Sequence, residues 1–176
     1  MIRYIATTSL LVFGLIESAQ ALPWFQTGSD LTKPSASQTQ VIHENRTNFS
    51  GTWVGQCNNS PAVELVIKHN NNNLNISYGF MSEKYIIGEV KSDARTDLNA
   101  LEHSNVMVRW SNDNRALIFI NSAMFINASE HSNVFFSKVS MVLVEENLIV
   151  TGSYYQTDGT LGDFNKETMS CSYHKI

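Results

Sequence analysis

The sequence predicts an all-β protein, an antiparallel up-and-down meander that closes into a small barrel. From Phe49 onward apolar and polar residues alternate with a period of two, the pattern of half-buried strands. The segments between the alternating runs are rich in Asn, Asp, Ser and Gly, which favour hairpin turns. Strands joined at such short range form a meander, and closure into a barrel hides its edges. A β-sandwich is the alternative architecture.

The strand candidates begin at the first alternating run and continue to the C-terminus. In segment 62–69, Val63, Leu65 and Ile67 fall on one face, and in segment 74–81 Leu74, Ile76, Tyr78 and Phe80 do so. The other candidates are 49–57, 84–91, 105–110, 115–121, 134–144, 148–156 and 168–174. An up-and-down sheet closed antiparallel needs an even number of strands, so nine candidates leave a mismatch. Either one assignment is wrong or 115–127 is a hairpin turning at Asn121-Ser122, and we expect eight to ten strands.

The N-terminus is typical of a secretory signal peptide. In residues 1–21, Arg3 precedes an apolar run over about 5–16, and Ala19-Gln20-Ala21 matches a signal-peptidase site. The run is shorter than the roughly 20 residues that span a bilayer, although an uncleaved anchor is the alternative. We expect an exported protein, periplasmic or extracellular, with no integral membrane segment after cleavage. Residues 22–48 are polar and aperiodic, which indicates a flexible leader, and 49–176 then forms one domain.

Charge and cysteine content narrow the function classes. The net charge is −4 and there is no dense run of Lys or Arg, which argues against a nucleic-acid partner. Cys57 and Cys171 are the only cysteines, and in an oxidising compartment two cysteines favour one disulfide, which stabilises by up to about 4–5 kcal/mol. The alternative, a nucleophilic thiol, needs a neighbouring base that the sequence does not show.

A family resemblance rests on the first strand. Phe49-Ser50-Gly51-Thr52-Trp53 resembles the G-x-W signature that opens the first strand of lipocalins and avidins, the calycin superfamily. Val150-Thr151-Gly152-Ser153-Tyr154 is similar to a Thr-Gly-x-Tyr strand segment of avidins, although it lies late in this chain. The resemblance implies that Trp53 closes one end of the barrel. The polar cluster that avidins use for biotin is replaced by Val54-Gly55-Gln56-Cys57, so biotin is not predicted. Lipocalins also pack a basic residue from near the last strand on this tryptophan, and Lys175 matches that position poorly.

An internal repeat locates the expected mouth of the barrel. Segments 99–106 and 127–134 are identical at seven of eight positions, which indicates either function or a relic of duplication. If one strand separates the copies, both lie at the barrel end that carries the long connections 92–104, 122–133 and 157–167 and the turn at 70–73. The short connections 58–61, 82–83, 111–114 and 145–147 would lie at the other end. Glu102, His103, Glu130 and His131 would then lie in loops at the mouth, opposite Trp53; if 115–126 is a hairpin, the copies separate.

These four side chains could bind a divalent metal, but no H-x-H, H-E-x-x-H or C-x-x-C spacing supports it, and we predict no metal and no cofactor. No G-x-S-x-G elbow, phosphate-binding loop or dinucleotide fingerprint is present. The sequence therefore assigns no catalytic residue, and whether the protein is an enzyme stays open.

The leading functional hypothesis is an exported barrel that binds a hydrophobic or amphipathic small molecule. The candidate ligand-binding residues are the bulky side chains expected inside: Tyr78, Phe80, Trp110, Phe119 and Phe136. Such side chains can also simply fill a small barrel. The alternative is therefore an interaction or inhibitor protein with a filled interior, which contacts a protein partner through its long loops.

Overall fold

The computed structural model describes residues 46–96, 100–127, 132–157 and 165–176, and all regular structure in these ranges is β. The signal peptide and most of the leader predicted from the sequence lie outside the described residues. The strands are β1 Gly51–Cys57, β2 Val63–Asn70, β3 Asn73–Tyr78, β4 Met81–Ile86, β5 Val90–Thr96, β6 Ala100–Trp110, β7 Ala116–Asn127, β8 Ser132–Val144, β9 Asn147–Gln156 and β10 Asn165–Lys175. Within the described ranges, no helix is long and apolar enough to cross a membrane.

The ten strands form one antiparallel sheet that curls into a nearly closed barrel. The strand order is β4-β3-β2-β1-β10-β9-β8-β7-β6-β5, so every pair of sequence neighbours is hydrogen-bonded except β4 and β5. The first and last strands close the cylinder, with Trp53 opposite Lys175 and Cys57 opposite Cys171. The predicted up-and-down meander is confirmed, and a sandwich of two sheets is excluded because all ten strands belong to a single sheet.

The structure has ten strands, whereas the sequence offers nine candidates, an odd number that antiparallel closure does not allow. Segment 84–91 is not one strand: β4 ends at Ile86 and β5 begins at Val90, with Gly88 at φ 94° in the bend between them. Residues 115–127 do not turn at Asn121-Ser122, because β7 runs continuously from Ala116 to Asn127 against both β6 and β8. The even total satisfies antiparallel closure.

The barrel has one short and one tall side. Strands β1 to β4 have six to eight residues each, whereas β6 to β10 have ten to thirteen. Pairing between β1 and β10 stops at Cys57 and Cys171, and β10 extends six residues further, to Asn165. The inner surface of the tall side is therefore partly open to solvent at that end of the barrel.

The two barrel ends differ in their connections. At the end where β1 starts, the closed end, lie the connections 71–72, 87–89, 111–115 and 145–146. At the other end, the mouth, lie 58–62 and 79–80 together with the last residues of β5, β7 and β9 and the first residues of β6, β8 and β10. The sequence-based placement of 58–61 at the closed end and of 70–73 at the mouth is wrong, because the additional bend at 87–89 reverses the direction of β1 to β4 relative to the later strands. Residues 82–83, expected to form a connection at the closed end, lie within β4.

The main hydrophobic core fills the closed half of the interior. Its fully buried side chains come from all around the barrel: Trp53, Leu65, Ile67, Leu74, Ile76, Val108, Leu117, Met141, Leu148, Val150 and Tyr173. Gly55 allows β1 to approach β10 closely, since a Cβ there would lie 2.0 Å from the carbonyl oxygen of Ser172. The apolar residues of the alternating strands thus face inward and form one continuous hydrophobic core at this end.

The predicted disulfide is present between the first and last strands. The sulfurs of Cys57 and Cys171 are 2.03 Å apart, both residues are buried, and the hydroxyl oxygen of Tyr173 lies 3.1 Å from Cys57 Sγ. A nucleophilic role for either thiol is therefore wrong. The bond joins residues 114 positions apart and is consistent with an oxidising, exported environment.

Candidate functional site

Trp53 lies at the closed end, in contact with both chain termini of the domain. Its indole Nε1 donates a hydrogen bond to the carbonyl oxygen of Phe49 at 3.1 Å. Lys175 Nζ lies 5.6 Å from the centre of the Trp53 ring, a cation–π contact that follows from their pairing between β1 and β10. The expectation that Lys175 fits this position poorly is wrong, since the last strand brings it onto the tryptophan.

A second aromatic layer covers the closed end. The rings of Phe49, His69 and Trp110 lie within 5.6–6.1 Å of one another, and the Arg46 guanidinium lies 5.3 Å from the Trp110 ring centre. Arg46 Nη1 donates to Asn72 Oδ1 at 2.9 Å. Trp110, a candidate ligand-binding residue, is thus placed in this layer, away from the mouth.

Burial lowers the pKa of His69, and the nearby Arg46 charge lowers it further, against the opposing effect of a hydrogen bond at Asn71. His69 Nδ1 lies 3.4 Å from the backbone N–H of Phe49, and Nε2 lies 3.1 Å from the carbonyl oxygen of Asn71. These partners fit a neutral ring that accepts at Nδ1 and donates at Nε2. Packed rings and hydrogen bonds therefore cover the closed end, and Trp110 Nε1 and Arg46 Nε are buried there without a partner among the described residues.

The other candidate interior residues divide between inside and outside. Phe119 is buried and packs edge-on against Tyr85 with ring centres 5.8 Å apart, and Tyr78 is half-buried against the core. Phe80 is 91% exposed, because Gly79 and Phe80 form the hairpin turn in which alternation ends. Phe136 is also exposed, so the prediction that these two phenylalanines face inward is wrong.

Adjacent phenylalanines on β8 explain the error at Phe136. Phe135 shares its face with the buried Ser137, Val139 and Met141, whereas Phe136 shares the outer face with the exposed Lys138. A polar residue, Ser137, occupies an inward position, which made the apolar side of this strand ambiguous in the sequence.

The repeat residues that the structure describes lie in a strand and not in a loop. β6 begins at Ala100, so Glu102 and His103 are part of its mouth end and point to opposite faces, Glu102 half-buried inside and His103 exposed outside. Their predicted placement in a mouth loop is wrong because pairing with β5 and β7 extends through the repeat. Glu130 and His131 lie outside the described residues.

The interior changes from apolar to polar halfway along the tall side. In one row of the sheet, Val108, Phe119 and Val139 face inward. In the next row toward the mouth, Asn121 of β7 pairs with Ser137 of β8. Asn121 is 2% exposed and Ser137 is 1% exposed, as deeply buried as the core around them. We call these two residues the polar pair.

The polar pair has no hydrogen-bond partner among the described residues. Both the amide nitrogen and the amide oxygen of Asn121 are unpaired and shielded from solvent, and so is the hydroxyl of Ser137. Most buried polar atoms in native proteins do have partners. An amide with two unpaired ends inside a barrel is therefore a feature that requires explanation.

Mixed side chains line the interior between the polar pair and the mouth. We define this open half by inward-facing residues of the tall side: Asp93, Glu102, Phe125, Asn133, Phe135 and Tyr154. Asn133 Oδ1 is also buried without a partner among the described residues. The ring centres of Phe135 and Tyr154 are 6.1 Å apart. Tyr154 donates a short hydrogen bond to Glu167 Oε2, which raises the pKa of Tyr154 to about 12. Aromatic surface and hydrogen-bonding groups thus lie on the same inner face of the sheet.

An ion pair links the two strands that are not hydrogen-bonded to each other. Lys91 Nζ of β5 lies 2.7 Å from Glu83 Oε2 of β4, and the Glu83 side chain is only 6% exposed. The same ammonium lies 5.9 Å from the ring centre of Tyr85. Side chains therefore hold the edges β4 and β5 together where backbone pairing is absent.

No protein-family model matches the chain, and no curated protein matches its sequence. The nearly closed ten-stranded antiparallel barrel is compatible with a calycin-like barrel. Within the described ranges, no group of three or more His, Cys, Asp or Glu side chains is placed to hold a metal ion.

The polar pair was not among the site residues predicted from the sequence. The sequence leaves Asn121 either as the last residue of a strand over 115–121 or as the turn of a hairpin, because asparagine is a common turn residue. The available signal was that Asn121 continues the alternation of Leu117 and Phe119, and that Ser137 continues the alternation of Val139 and Met141.

Proposed function

We propose that this protein is an exported β-barrel that binds an amphipathic small molecule in the open half of its interior. The observation that carries the proposal is Asn121, buried inside the barrel with both amide atoms unpaired. A ligand bound above it from the mouth would supply the missing partners.

Asn121 makes the free protein less stable than a barrel filled only by apolar side chains would be. Leaving a buried polar group unpaired costs about 1–3 kcal/mol. An apolar residue at position 121 would fill the same space without this cost, as Phe119 does one row below. A polar side chain that lowers the stability of the free protein is typical of a binding site, where strain and unpaired groups are retained for function.

The lining of the open half supports an amphipathic ligand. Phe125 and Phe135 offer aromatic surface, and Phe125 is 37% exposed although it faces the interior. Tyr154 and Asn121 offer hydrogen-bonding groups on the same inner surface. Ligand sites commonly combine apolar walls with a few polar groups that orient the ligand.

A dye-binding experiment tests the proposal with a matched pair of variants. N-phenyl-1-naphthylamine, an uncharged amphipathic dye, is titrated into the oxidised protein while its fluorescence is recorded. Phe135 and Phe136 are neighbours on opposite faces of β8, so F135S alters the interior and F136S alters the outside with the same chemical change. We expect saturable binding at one site per chain, weakened at least about tenfold by F135S and unchanged by F136S.

Absence of saturable binding by the wild-type protein would overturn the proposal. Loss of binding in F136S with retention in F135S would also overturn it, because the dye would then occupy the outer surface.

An apolar patch on the outer surface favours a second candidate function, recognition of a protein partner. Leu101, Met124, Val134 and Phe136 are all exposed on the outer face near the mouth, and Met124 and Val134 are paired across β7 and β8. Exposed apolar clusters of this kind mark interaction sites. In this case F136S would weaken partner binding while F135S would leave it intact.

A further inference from the structure

We propose that the ligand carries an uncharged head group with adjacent hydrogen-bond donor and acceptor atoms, such as a carboxamide, and that this head group binds the polar pair. The inference rests on the proposed function and adds the chemistry and orientation of the ligand. It derives from three features of the interior: the unpaired atoms, the balance of charge and the position of the packed core.

The unpaired atoms define what the head group must offer. Asn121 presents a free donor at Nδ2 and a free acceptor at Oδ1, and Ser137 presents a hydroxyl that can do either. A carboxylate offers only acceptors and an ammonium offers only donors, so each would leave one end of the Asn121 amide unpaired. A group with both a donor and an acceptor side by side satisfies both ends.

The charges around the open half disfavour an anionic ligand. Among the described residues, three acids face this part of the interior, Asp93, Glu102 and Glu167, against two bases, Lys91 and Arg95. Both bases already contact acids: Lys91 pairs with Glu83 at 2.7 Å and Arg95 Nε lies 3.4 Å from Asp93. A carboxylate would enter a site with excess negative charge and no uncommitted cation among these groups.

The packed core sets the orientation of the ligand. Directly below the polar pair, Phe119 and Val139 are buried within the apolar filling of the closed half. Above it lie Ala123, the smallest inward-facing side chain of β7, and then Phe125 near the mouth. The head group therefore binds deepest, and the apolar part of the ligand extends toward Phe125 and Phe135.

Binding requires one local rearrangement. The unpaired atoms of the polar pair are shielded from solvent in the free protein, so a covering side chain must turn aside. Phe135 is the next inward-facing residue of β8 above Ser137 and is only partly buried, which makes it the side chain placed to move.

The test uses three probes with the same eight-carbon chain and different head groups: octanamide, octanoate and octylamine. Each is titrated against the complex of the oxidised protein with N-phenyl-1-naphthylamine, and displacement of the dye gives its affinity. We expect octanamide to bind at least about tenfold more tightly than the other two, since each of them leaves part of the Asn121 amide without a partner.

Two variants test whether the polar pair causes the difference in affinity between octanamide and the two charged probes. N121L removes both unpaired atoms and should weaken octanamide at least about tenfold relative to octanoate. N105L makes the same change on β6, where Asn105 faces outward and accepts a hydrogen bond from Ser92, and should leave the affinity of all three probes unchanged.

Tighter binding of octanoate or octylamine than of octanamide would overturn the head-group assignment, and so would an N121L variant that retains the wild-type preference. Failure of all three probes to displace a bound dye would overturn it as well. In each of these cases the dye still binds and the proposed function stands. Absence of dye binding itself would instead refute the proposed function.

Discussion

The two halves of the barrel interior are built from the same strands but differ in the side chains that they bury. In the closed half, Trp53 donates to Phe49, Lys175 covers the indole ring, and apolar side chains fill the interior. The unpaired atoms there, Trp110 Nε1 and Arg46 Nε, belong to the aromatic layer that covers this end. In the open half, Asn121 and Ser137 are equally buried, yet none of their side-chain polar atoms has a partner among the described residues.

Under the proposed function, the closed half provides stability and the open half provides the binding site. Sealing and packing the closed half stabilises the fold, since the apolar surface buried there is removed from water. Leaving polar groups unpaired in the open half lowers stability, a cost that ligand binding would recover. Substitutions in the closed half should therefore destabilise the protein, whereas suitable substitutions in the open half should stabilise it and impair binding.

The largest effect is expected from Trp53→Ala in the closed half. The substitution removes a buried ring, its hydrogen bond to Phe49 and its contact with Lys175, and should lower the free energy of unfolding by about 3–5 kcal/mol. Urea denaturation followed by circular dichroism measures it. Phe136→Ala on the exposed outer face is the control, and an equal loss in both variants would contradict the division into halves.

Reduction of the disulfide should have the next largest effect. Cys57–Cys171 joins the first and last strands across 114 positions, and opening it should lower the free energy of unfolding by about 2–4 kcal/mol. Urea denaturation with and without a reducing agent gives the difference for one sequence. An unchanged midpoint would show that pairing of β1 with β10 does not depend on the bond.

A smaller effect of opposite sign is expected from Asn121→Leu. Replacing an unpaired buried amide with an apolar side chain of similar size should raise the free energy of unfolding by about 1 kcal/mol. Asn105→Leu on the outer face, which loses the hydrogen bond from Ser92, should not increase stability. Thermal and urea unfolding of the wild type, Asn121→Leu and Asn105→Leu measure these changes in the free energy of unfolding. An Asn121→Leu variant less stable than the wild type would mean that the amide has a stabilising partner.

The smallest effect is the pH dependence contributed by His69 at the closed end. Its folded-state pKa lies below the ordinary value because of burial, with the Arg46 charge adding to the shift, so the unfolded chain takes up the proton first as pH falls. Stability should therefore decrease as pH is lowered below about 6.5. Protonation also removes the Nδ1 acceptor for the Phe49 N–H.

Urea midpoints between pH 7.5 and 5.5 measure this contribution. The decrease should be smaller in His69→Gln than in the wild type, whereas His103→Gln, at an exposed position near the mouth, should behave as the wild type does. Identical pH profiles for all three proteins would show that His69 does not carry the effect.

The sequence predicted the fold better than the site, for a physical reason. Alternation is a local property of each strand, so the meander and its closure through Cys57 and Cys171 could be inferred without coordinates. Register depends on partners distant in the chain. The split at Gly88, the continuous β7 through Asn121 and the inward face of Phe135 all follow from cross-strand pairing that local pattern does not specify.

The side-chain amide of Asn121 can be observed directly by ¹⁵N-resolved NMR, with its signals assigned by their absence in the Asn121→Leu variant. If the open half binds an uncharged donor–acceptor head group, adding octanamide should shift both amide proton signals of Asn121, because the unpaired Nδ2 and Oδ1 gain partners. If these signals stay in place while octanamide perturbs other residues, the polar pair is not the ligand site.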